Sequence, residues 1–148
     1  MTALHLAGPD DLDCLLPQVR SFQDDRGITR SDDDRAAALR PLLEGSPHGA
    51  VYLFGPKRAP IGHVVISFGW SLEVGGMTGF IDEIYVRPSV RGRGIGTEVL
   101  TALTKALVGA GLKALHVDLN RGDEKSRDFY ARLRFREHSD HFLMTLEY

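Results

Sequence analysis

Apolar residues recur along the first part of the chain at the spacing of an amphipathic helix. The stripe follows the helix-start signal Gly8-Pro9-Asp10 and contains Leu12, Leu15, Leu16, Val19 and Phe22. It predicts a helix over residues 10–24. A second helix is predicted from residue 32 to about residue 40, because Ser31 and three aspartates form its capped start and Pro41 limits or kinks it.

The middle of the chain changes to runs of β-branched and aromatic residues. These runs cover residues 50–54, 61–70 and 78–86. The turn-like segment 55–60 separates the first two runs, and the pair Gly75-Gly76 separates the last two. Since adjacent glycines suit tight turns with positive φ, the pattern predicts an antiparallel meander of three strands.

Helical spacing returns after residue 95 in a stripe that ends at Gly109-Ala110-Gly111: Val99, Leu100, Leu103, Ala106 and Leu107. A strand over residues 112–119, a helix from Asp123 and a last strand over residues 141–148 are predicted after it. The resulting order is β-α-α-β-β-β-α-β-α-β. At 148 residues this predicts a single domain over residues 1–148.

Composition narrows the classes of partner. Lysine and arginine number 18 against 20 aspartates and glutamates, a net charge of −2, whereas nucleic-acid-binding domains usually have a basic excess. Cys14 is the single cysteine, so no internal disulfide forms, and no apolar run approaches the about 20 residues of a membrane span. We therefore expect a soluble cytoplasmic protein with no nucleic acid, membrane or metal partner.

The segment VRPSVRGRGIGTEVL joins a predicted strand to a predicted helix through three glycines. Such a turn presents unpaired backbone N–H groups at the positive end of the helix dipole, an arrangement that suits a diphosphate. Thr97 stands where the dinucleotide fingerprint GxGxxG would need its third glycine, and no Gly-Lys-Ser/Thr of a Walker A loop is present. The alternative interpretation is a flexible connection that binds nothing.

Arg91-Gly92-Arg93-Gly94-Ile95-Gly96 resembles the Q/R-x-x-G-x-G/A signature of the GNAT superfamily of acetyl-CoA-dependent N-acetyltransferases. Asn120, ten residues before Tyr130 in DFYARLRF, resembles that family's segment N-x-x-A-x-x-F/Y-Y-x-x-x-G-F. The sequence departs from the family at Ser126, which stands for Ala, and at Arg134, which stands for Gly before Phe135. An arginine at position 134 must avoid or tolerate the left-handed conformation that glycine permits.

The resemblance implies a three-layer α/β/α fold of the α+β class. Its central twisted sheet is mixed but mostly antiparallel, with six to seven strands and about four helices. Acetyl-CoA would lie in a V-shaped gap between the strand that ends at Val86 and the strand of residues 115–119. The residues implied to bind the cofactor are Ile84, Tyr85, Val86, Arg91, Gly92, Arg93, Gly94, Ile95, Gly96, Thr97, Asn120 and Ser126.

Two residues are candidates for proton transfer at the thioester. Glu83 precedes the cofactor loop, at a position where many family members that resemble this chain have a base, and Tyr130 matches the tyrosine that protonates the leaving thiolate. Strand alternation predicts that Asp82 points to the face opposite Glu83. The alternatives are that Glu83 is an ordinary or substrate-binding carboxylate, and that Tyr130 only packs beside Phe129.

The acceptor is expected to be an amine of a small molecule or of a protein. Four carboxylates, Asp24, Asp25, Asp82 and Glu83, could form an acidic mouth for a cation. Two alternative functions stay open: a non-catalytic acyl-CoA-binding or sensing module, and a small nucleic-acid binder that uses Arg87, Arg91 and Arg93. Exposed sheet edges would also allow a homodimer.

Overall fold

One five-stranded sheet organises the chain, which a computed structural model describes over residues 2–148. Its strands are β1 (Leu4–Leu6), β2 (Gly49–Phe54), β3 (Gly62–Ser71), β4 (Gly76–Val86) and β5 (Leu112–Val117). They lie side by side in chain order. β1 to β4 are antiparallel neighbours, which confirms the predicted meander, and β5 pairs with β4 in parallel.

Four α-helices accompany the strands: α1 (Leu12–Asp25), α2 (Asp32–Leu43), α3 (Ile95–Gly109) and α4 (Glu124–Arg132). The predicted end of α2 near residue 40 is wrong. Pro41 lies inside its last turn, and the backbone N–H groups of Glu44 and Ser46 still close that turn on the carbonyls of Arg40 and Pro41. No helix among residues 2–148 is both long enough and apolar enough to span a bilayer.

The chain divides into two compact units, residues up to 118 and residues 119–148. In the first unit α1 and α2 cover one region of the sheet. The apolar cluster there consists of Ala7, Leu15, Val19, Leu39, Leu43, Val51, Leu53 and Val65. α3 packs on β4 and β5 and buries Val99, Leu100, Leu103 and Leu107.

The strand predicted over residues 141–148 does not form, so the sheet has five strands rather than six or seven. Residues 141–148 pair with no strand among residues 2–148, and Phe142, Leu143, Met144 and Leu146 are exposed there. The run has strand-forming residues, but a strand needs a partner for its backbone groups as well as propensity. The order of the preceding elements is as predicted.

Candidate active site

β4 continues beyond the end of its pairing with β5. The parallel register stops at Ile81 and Val117, whereas β4 follows β3 as far as Val86. Within the described residues 2–148, no strand pairs with residues 82–86 on the β5 side, and this opening is the predicted V-shaped gap.

Backbone direction decides which residues of β4 face the gap. The N–H of Arg87 donates to the carbonyl of Ile61 at 2.7 Å, so by alternation the peptide groups of Tyr85 also face β3. The N–H and C=O groups of Ile84 and Val86 face the gap instead. A cofactor arm paired with residues 84–86 would therefore use the backbone groups of Ile84 and Val86, while those of Tyr85 between them face β3.

The glycine turn after β4 presents a row of free backbone donors. Gly92 and Gly94 have φ of 78° and 77°, a left-handed conformation that explains why glycine stands there. The first bond of α3 joins the N–H of Glu98 to the carbonyl of Gly94 at 3.1 Å. Within residues 2–148 none of the N–H groups of residues 92–97 has an acceptor. The donor set therefore fits a diphosphate.

Arg91 lies against the end of β4. Its Nε donates to the carbonyl of Val86 at 2.6 Å, and its guanidinium carbon is 5.5 Å from the centroid of the Tyr85 ring. The Arg91 side chain therefore caps one of the two gap-facing carbonyls. Arg93, in the middle of the turn, is exposed.

A β-bulge brings Asp82 and Glu83 to the same cavity. Val65 pairs with Glu83 but Ile66 pairs with Ile81, so Asp82 is the extra residue of β4. Both carboxylates line a cleft of about 320 Å³ between α1, α2 and the sheet. The prediction that Asp82 points away from Glu83 is wrong, because alternation fails at a bulge.

The cleft combines an apolar wall with a charged rim. Its apolar lining is Val19, Ala38, Leu39, Leu42 and Val65, and its polar lining is Gln23, Arg30, Asp34, Arg35, Asp82 and Glu83. Displacement of water by the surrounding protein raises the pKa of Asp82, and the negative charge of Glu83 adds to the effect.

The predicted acidic mouth is half correct. Asp82 and Glu83 line the cleft, but Asp24 and Asp25 are not among its lining residues. Asp24 lies 3.8 Å from the guanidinium of Arg35, and Asp25 is exposed at the end of α1.

Glu83 is only 6% exposed and has partners on both oxygens. Its Oε1 lies 2.9 Å from Nε2 of His63, and its Oε2 accepts from Nε2 of Gln23 at 3.3 Å. The Oε1 of Gln23 in turn accepts from Nε of Arg35 at 2.9 Å. Arg35 also donates to Asp32 at 2.8 Å, so this chain of polar contacts joins β4 to both helices.

No role in the site was predicted from the sequence for Gln18, Gln23, Arg35 or His63. All four belong to the network around Glu83, and His63 is completely buried. One signal was available: Gln18 interrupts the apolar stripe of α1 next to Val19, and a polar residue at a buried position needs a partner.

The remaining predicted residues lie in the second unit. Tyr130 is buried on α4, with ring centroids of Phe129 and Phe135 at 5.0 and 5.1 Å. The Oδ1 of Asn120 accepts from the N–H of Gly122, and the N–H of Ser126 donates to Asp123, which caps α4. Asp123 is seven residues before Tyr130, which is the spacing of the asparagine in the family segment.

A family model described as the acetyltransferase (GNAT) family matches residues 17–135. The match covers most of the chain, including the cleft, the strand β4, the glycine turn and α4. The chain belongs to the GNAT acetyltransferase family. No curated protein matches this GNAT chain.

Solved structures show the same fold. A possible acetyltransferase from Clostridium difficile 630 has a TM-score of 0.87 at 16% identity, covering 100% of this chain and 98% of its own. The integron cassette protein HFX_CASS3 from the Cole Harbour Salt Marsh metagenome has a TM-score of 0.83 at 26% identity. The alignment covers 97% of this chain and 89% of the cassette protein. The aminoglycoside N-acetyltransferase AAC(6')-Iy, in complex with CoA, has a TM-score of 0.81 at 17% identity. The alignment covers 99% of this chain and 95% of the aminoglycoside N-acetyltransferase.

Groups of three or more histidine, cysteine, aspartate or glutamate side chains that could hold a metal ion do not occur among residues 2–148.

Proposed function

We propose that this GNAT protein is an amine N-acetyltransferase in which Glu83 accepts the proton of the acceptor amine. The observation that supports the proposal is the position of a nearly buried carboxylate, which lines the cleft on the same strand whose next residues, Ile84 and Val86, border the gap. A cleft for the acceptor and a gap for the acyl donor thus meet at Glu83. The whole chain, residues 1–148, would act as one catalytic domain.

The backbone donors of residues 92–97 would hold the diphosphate of acetyl-CoA, and Ile84 and Val86 would hydrogen-bond its pantetheine arm as an added strand would. Acetyl-CoA supplies the acetyl group as a thioester, which the amine attacks directly. Asn120 and Ser126 stay predictions as cofactor contacts, and so do the side chains of Arg91 and Arg93.

Glu83 would solve the main chemical problem of the reaction, which is that an alkylamine is protonated at neutral pH. Deprotonating an amine of pKa about 10.4 at pH 7 costs about 4.6 kcal/mol in water. A carboxylate at the wall of the acceptor cleft can take this proton as the amine attacks, and general base catalysis of this kind contributes about 10² to 10⁴ in rate.

Tyr130 is proposed as the acid that protonates the leaving thiolate. A phenol of pKa about 10 can donate to a thiolate whose conjugate acid has a pKa of about 8.5. The support for this role is the resemblance of DFYARLRF to the family segment. The contribution is expected at the low end of the general-acid range, because a thiolate already leaves readily.

The acceptor is proposed to be a cationic amine with an apolar body. Asp34, Asp82 and Glu83 supply negative charge in the cleft, and the leucine and valine side chains opposite them supply an apolar wall. The similarity in fold to an aminoglycoside N-acetyltransferase supports an amine acceptor in general but does not choose among amines.

The test is acetyl transfer from acetyl-CoA to a panel of amines, read by thiol release and by the mass of the products. In Glu83→Gln we expect the rate to fall by about 10²-fold or more with cofactor affinity unchanged. Glu73→Gln, which changes an exposed carboxylate on the β3–β4 connection, is the matched control and should keep the wild-type rate. A normal rate in Glu83→Gln would remove this residue as the base, and cofactor binding without any acetylated amine would favour a sensing module.

A further inference from the structure

His63 is the one completely buried histidine in the site, and both of its ring nitrogens face oxygen atoms. Nδ1 lies 2.9 Å from Oε1 of Gln18 on α1, and Nε2 lies 2.9 Å from Oε1 of Glu83 on β4. A neutral imidazole has one donor and one acceptor nitrogen, so two oxygen partners raise the question of where the protons are.

The orientation of the Gln18 amide determines whether Nδ1 of His63 carries a hydrogen. The Nε2 of Gln18 donates to the carbonyl of Pro60 at 3.1 Å, and a carbonyl can only accept. This contact fixes the orientation of the Gln18 amide, so the oxygen that faces His63 is an acceptor. The Nδ1 of His63 must therefore carry a hydrogen.

A proton must also lie between Nε2 of His63 and Oε1 of Glu83, because two lone pairs would otherwise face each other in a buried site. It belongs either to the imidazole, which makes an ion pair, or to the carboxyl group, which makes a neutral pair. In the ion pair Glu83 is a carboxylate that can accept a further proton directly at Oε2, whereas in the neutral pair it can do so only if its own proton moves to Nε2 of His63.

The other oxygen of Glu83 has a fixed partner as well. Gln23 accepts from Nε of Arg35, which has no acceptor atom, so the nitrogen of the Gln23 amide is turned toward Oε2 of Glu83. That hydrogen bond is long, at 3.3 Å, and comes from a neutral donor. Among residues 2–148, His63 is thus the only partner in contact with Glu83 that can carry a positive charge.

We propose that His63 is a positioning residue for Glu83: as a doubly protonated imidazolium, held by Gln18, it keeps the buried Glu83 ionised through Oε1 and leaves Oε2 to take the proton of the amine. The proposal rests on the proposed function, in which Glu83 is the base. A buried carboxylate without such a partner would bind a proton itself.

The surroundings of the pair contain few other charges. The Tyr85 ring on β4 stacks on His63 with a centroid distance of 5.7 Å, and the guanidinium of Arg91 lies over Tyr85. Asp82 is the neighbouring carboxylate on β4, and Arg35 reaches the pair only through Gln23. The Gln18 side chain of α1 is neutral.

The experiment compares the pH dependence of kcat in wild type, His63→Leu and His63→Gln. Removing the imidazolium should move the rising limb of kcat to higher pH by about one unit or more, so that kcat on that limb falls about tenfold. His63→Gln keeps a neutral donor, so the rising limb of its kcat profile should lie between those of wild type and His63→Leu. His5→Leu replaces a histidine of β1 whose buried Nε2 has no hydrogen-bond partner among residues 2–148, and it should leave the profile unchanged.

The double variant His63→Leu/Glu83→Gln separates this proposal from the one on which it rests. If Glu83 is the base and His63 acts through it, adding His63→Leu to Glu83→Gln should not lower the rate further. A lowered rate in Glu83→Gln with an unshifted profile in His63→Leu would overturn the role of His63 alone. A normal rate in Glu83→Gln would overturn the assignment of the base.

A measurement on the wild-type protein covers the case in which the variants fail to fold. Nitrogen-15 chemical shifts of labelled histidine distinguish protonated from unprotonated ring nitrogens. Both nitrogens of His63 should be protonated at neutral pH, and Nε2 should lose its proton in Glu83→Gln. An unprotonated Nε2 in wild type would mean that the proton belongs to Glu83, which contradicts the proposal.

Discussion

Arg134 adopts the conformation that the sequence flags as costly. Its φ is 70°, and it is the one residue other than glycine with positive φ among residues 2–148. The N–H of Arg134 bonds to the carbonyl of Ala131, and the N–H of Phe135 bonds to that of Tyr130, with the two rings in contact. These contacts form a complete Schellman motif, which normally has glycine at this position.

Replacing Arg134 with glycine should stabilise the protein. The left-handed conformation costs an L-residue roughly 1–2 kcal/mol, so Arg134→Gly is expected to raise Tm by about 2–8 °C, measured by thermal unfolding. Arg132→Gly, in the last turn of α4, should have the opposite effect because glycine costs about 0.8–1.0 kcal/mol inside a helix. Equal destabilisation by both changes would contradict the account of the motif.

Residue types alone predicted the glycine turn at residues 92–96 but not the side-chain contact beside it. The glycines of the turn were predicted from the sequence as part of an anion-binding segment, and two of them, Gly92 and Gly94, have the positive φ that only glycine adopts without cost. The contact of Arg91 with the carbonyl of Val86 was not foreseeable, since a long side chain can reach many partners and its sequence position does not choose among them.

At the scale of elements, the bulge in β4 is what creates the acidic side of the cleft. Strand periodicity predicted the extent of β4 correctly to its end at Val86, but it also predicted that Asp82 and Glu83 face opposite ways. A single extra residue opposite Val65 and Ile66 removes that alternation. Nothing in the local sequence marks the bulge, which depends on the register with β3.

The partly buried carboxylate of Asp82 at the bulge should lower the stability of the protein, and the size of this loss should depend on pH. The pKa of Asp82 is raised in the folded protein, so the folded state binds its proton more tightly than the unfolded chain does. Stability is therefore lost as pH rises through the folded pKa. Asp82→Asn should raise Tm at neutral pH, and the gain should shrink as pH falls toward the ordinary aspartate pKa of about 3.9.

Glu73→Gln serves as the control for Asp82→Asn because it removes one negative charge from an exposed position. Its Tm difference from wild type should be small and nearly constant over the same pH range. A gain for Asp82→Asn that grows in acid would contradict the raised pKa. The same variant should also weaken binding of cationic acceptors, since it removes a charge from the cleft wall.

For the whole molecule, the order of elements and the family followed from the sequence, whereas the edge of the sheet did not. Strands over residues 50–86 and the helix after the glycine turn are encoded by local periodicity and turn residues. Residues 141–148 have the same apolar character but no partner strand within residues 2–148. Pairing is a non-local property, which is why composition overestimates the number of strands.

Binding of CoA should stabilise the whole fold, and the glycine turn should be responsible for most of the effect. At a concentration of 100 times Kd a ligand that binds only the native state adds about 2.7 kcal/mol, which for a chain of this length raises Tm by about 5–10 °C. Pantetheine, which has no diphosphate, should give a much smaller shift because it does not engage the donors of residues 92–97.

A pair of glycine variants makes this test specific to the turn. Gly94 and Gly75 have φ of 77° and 79°, and a Cβ at either position would meet nothing within 4 Å. Alanine at either position should therefore cost similar stability without ligand, about 1–2 kcal/mol. Only Gly94→Ala should lose most of the CoA shift, since it alone changes the donors that face the diphosphate. If Gly94→Ala kept the full CoA shift, as Gly75→Ala is expected to do, the diphosphate would have to bind elsewhere, and the acyl donor at Glu83 would need another anchor.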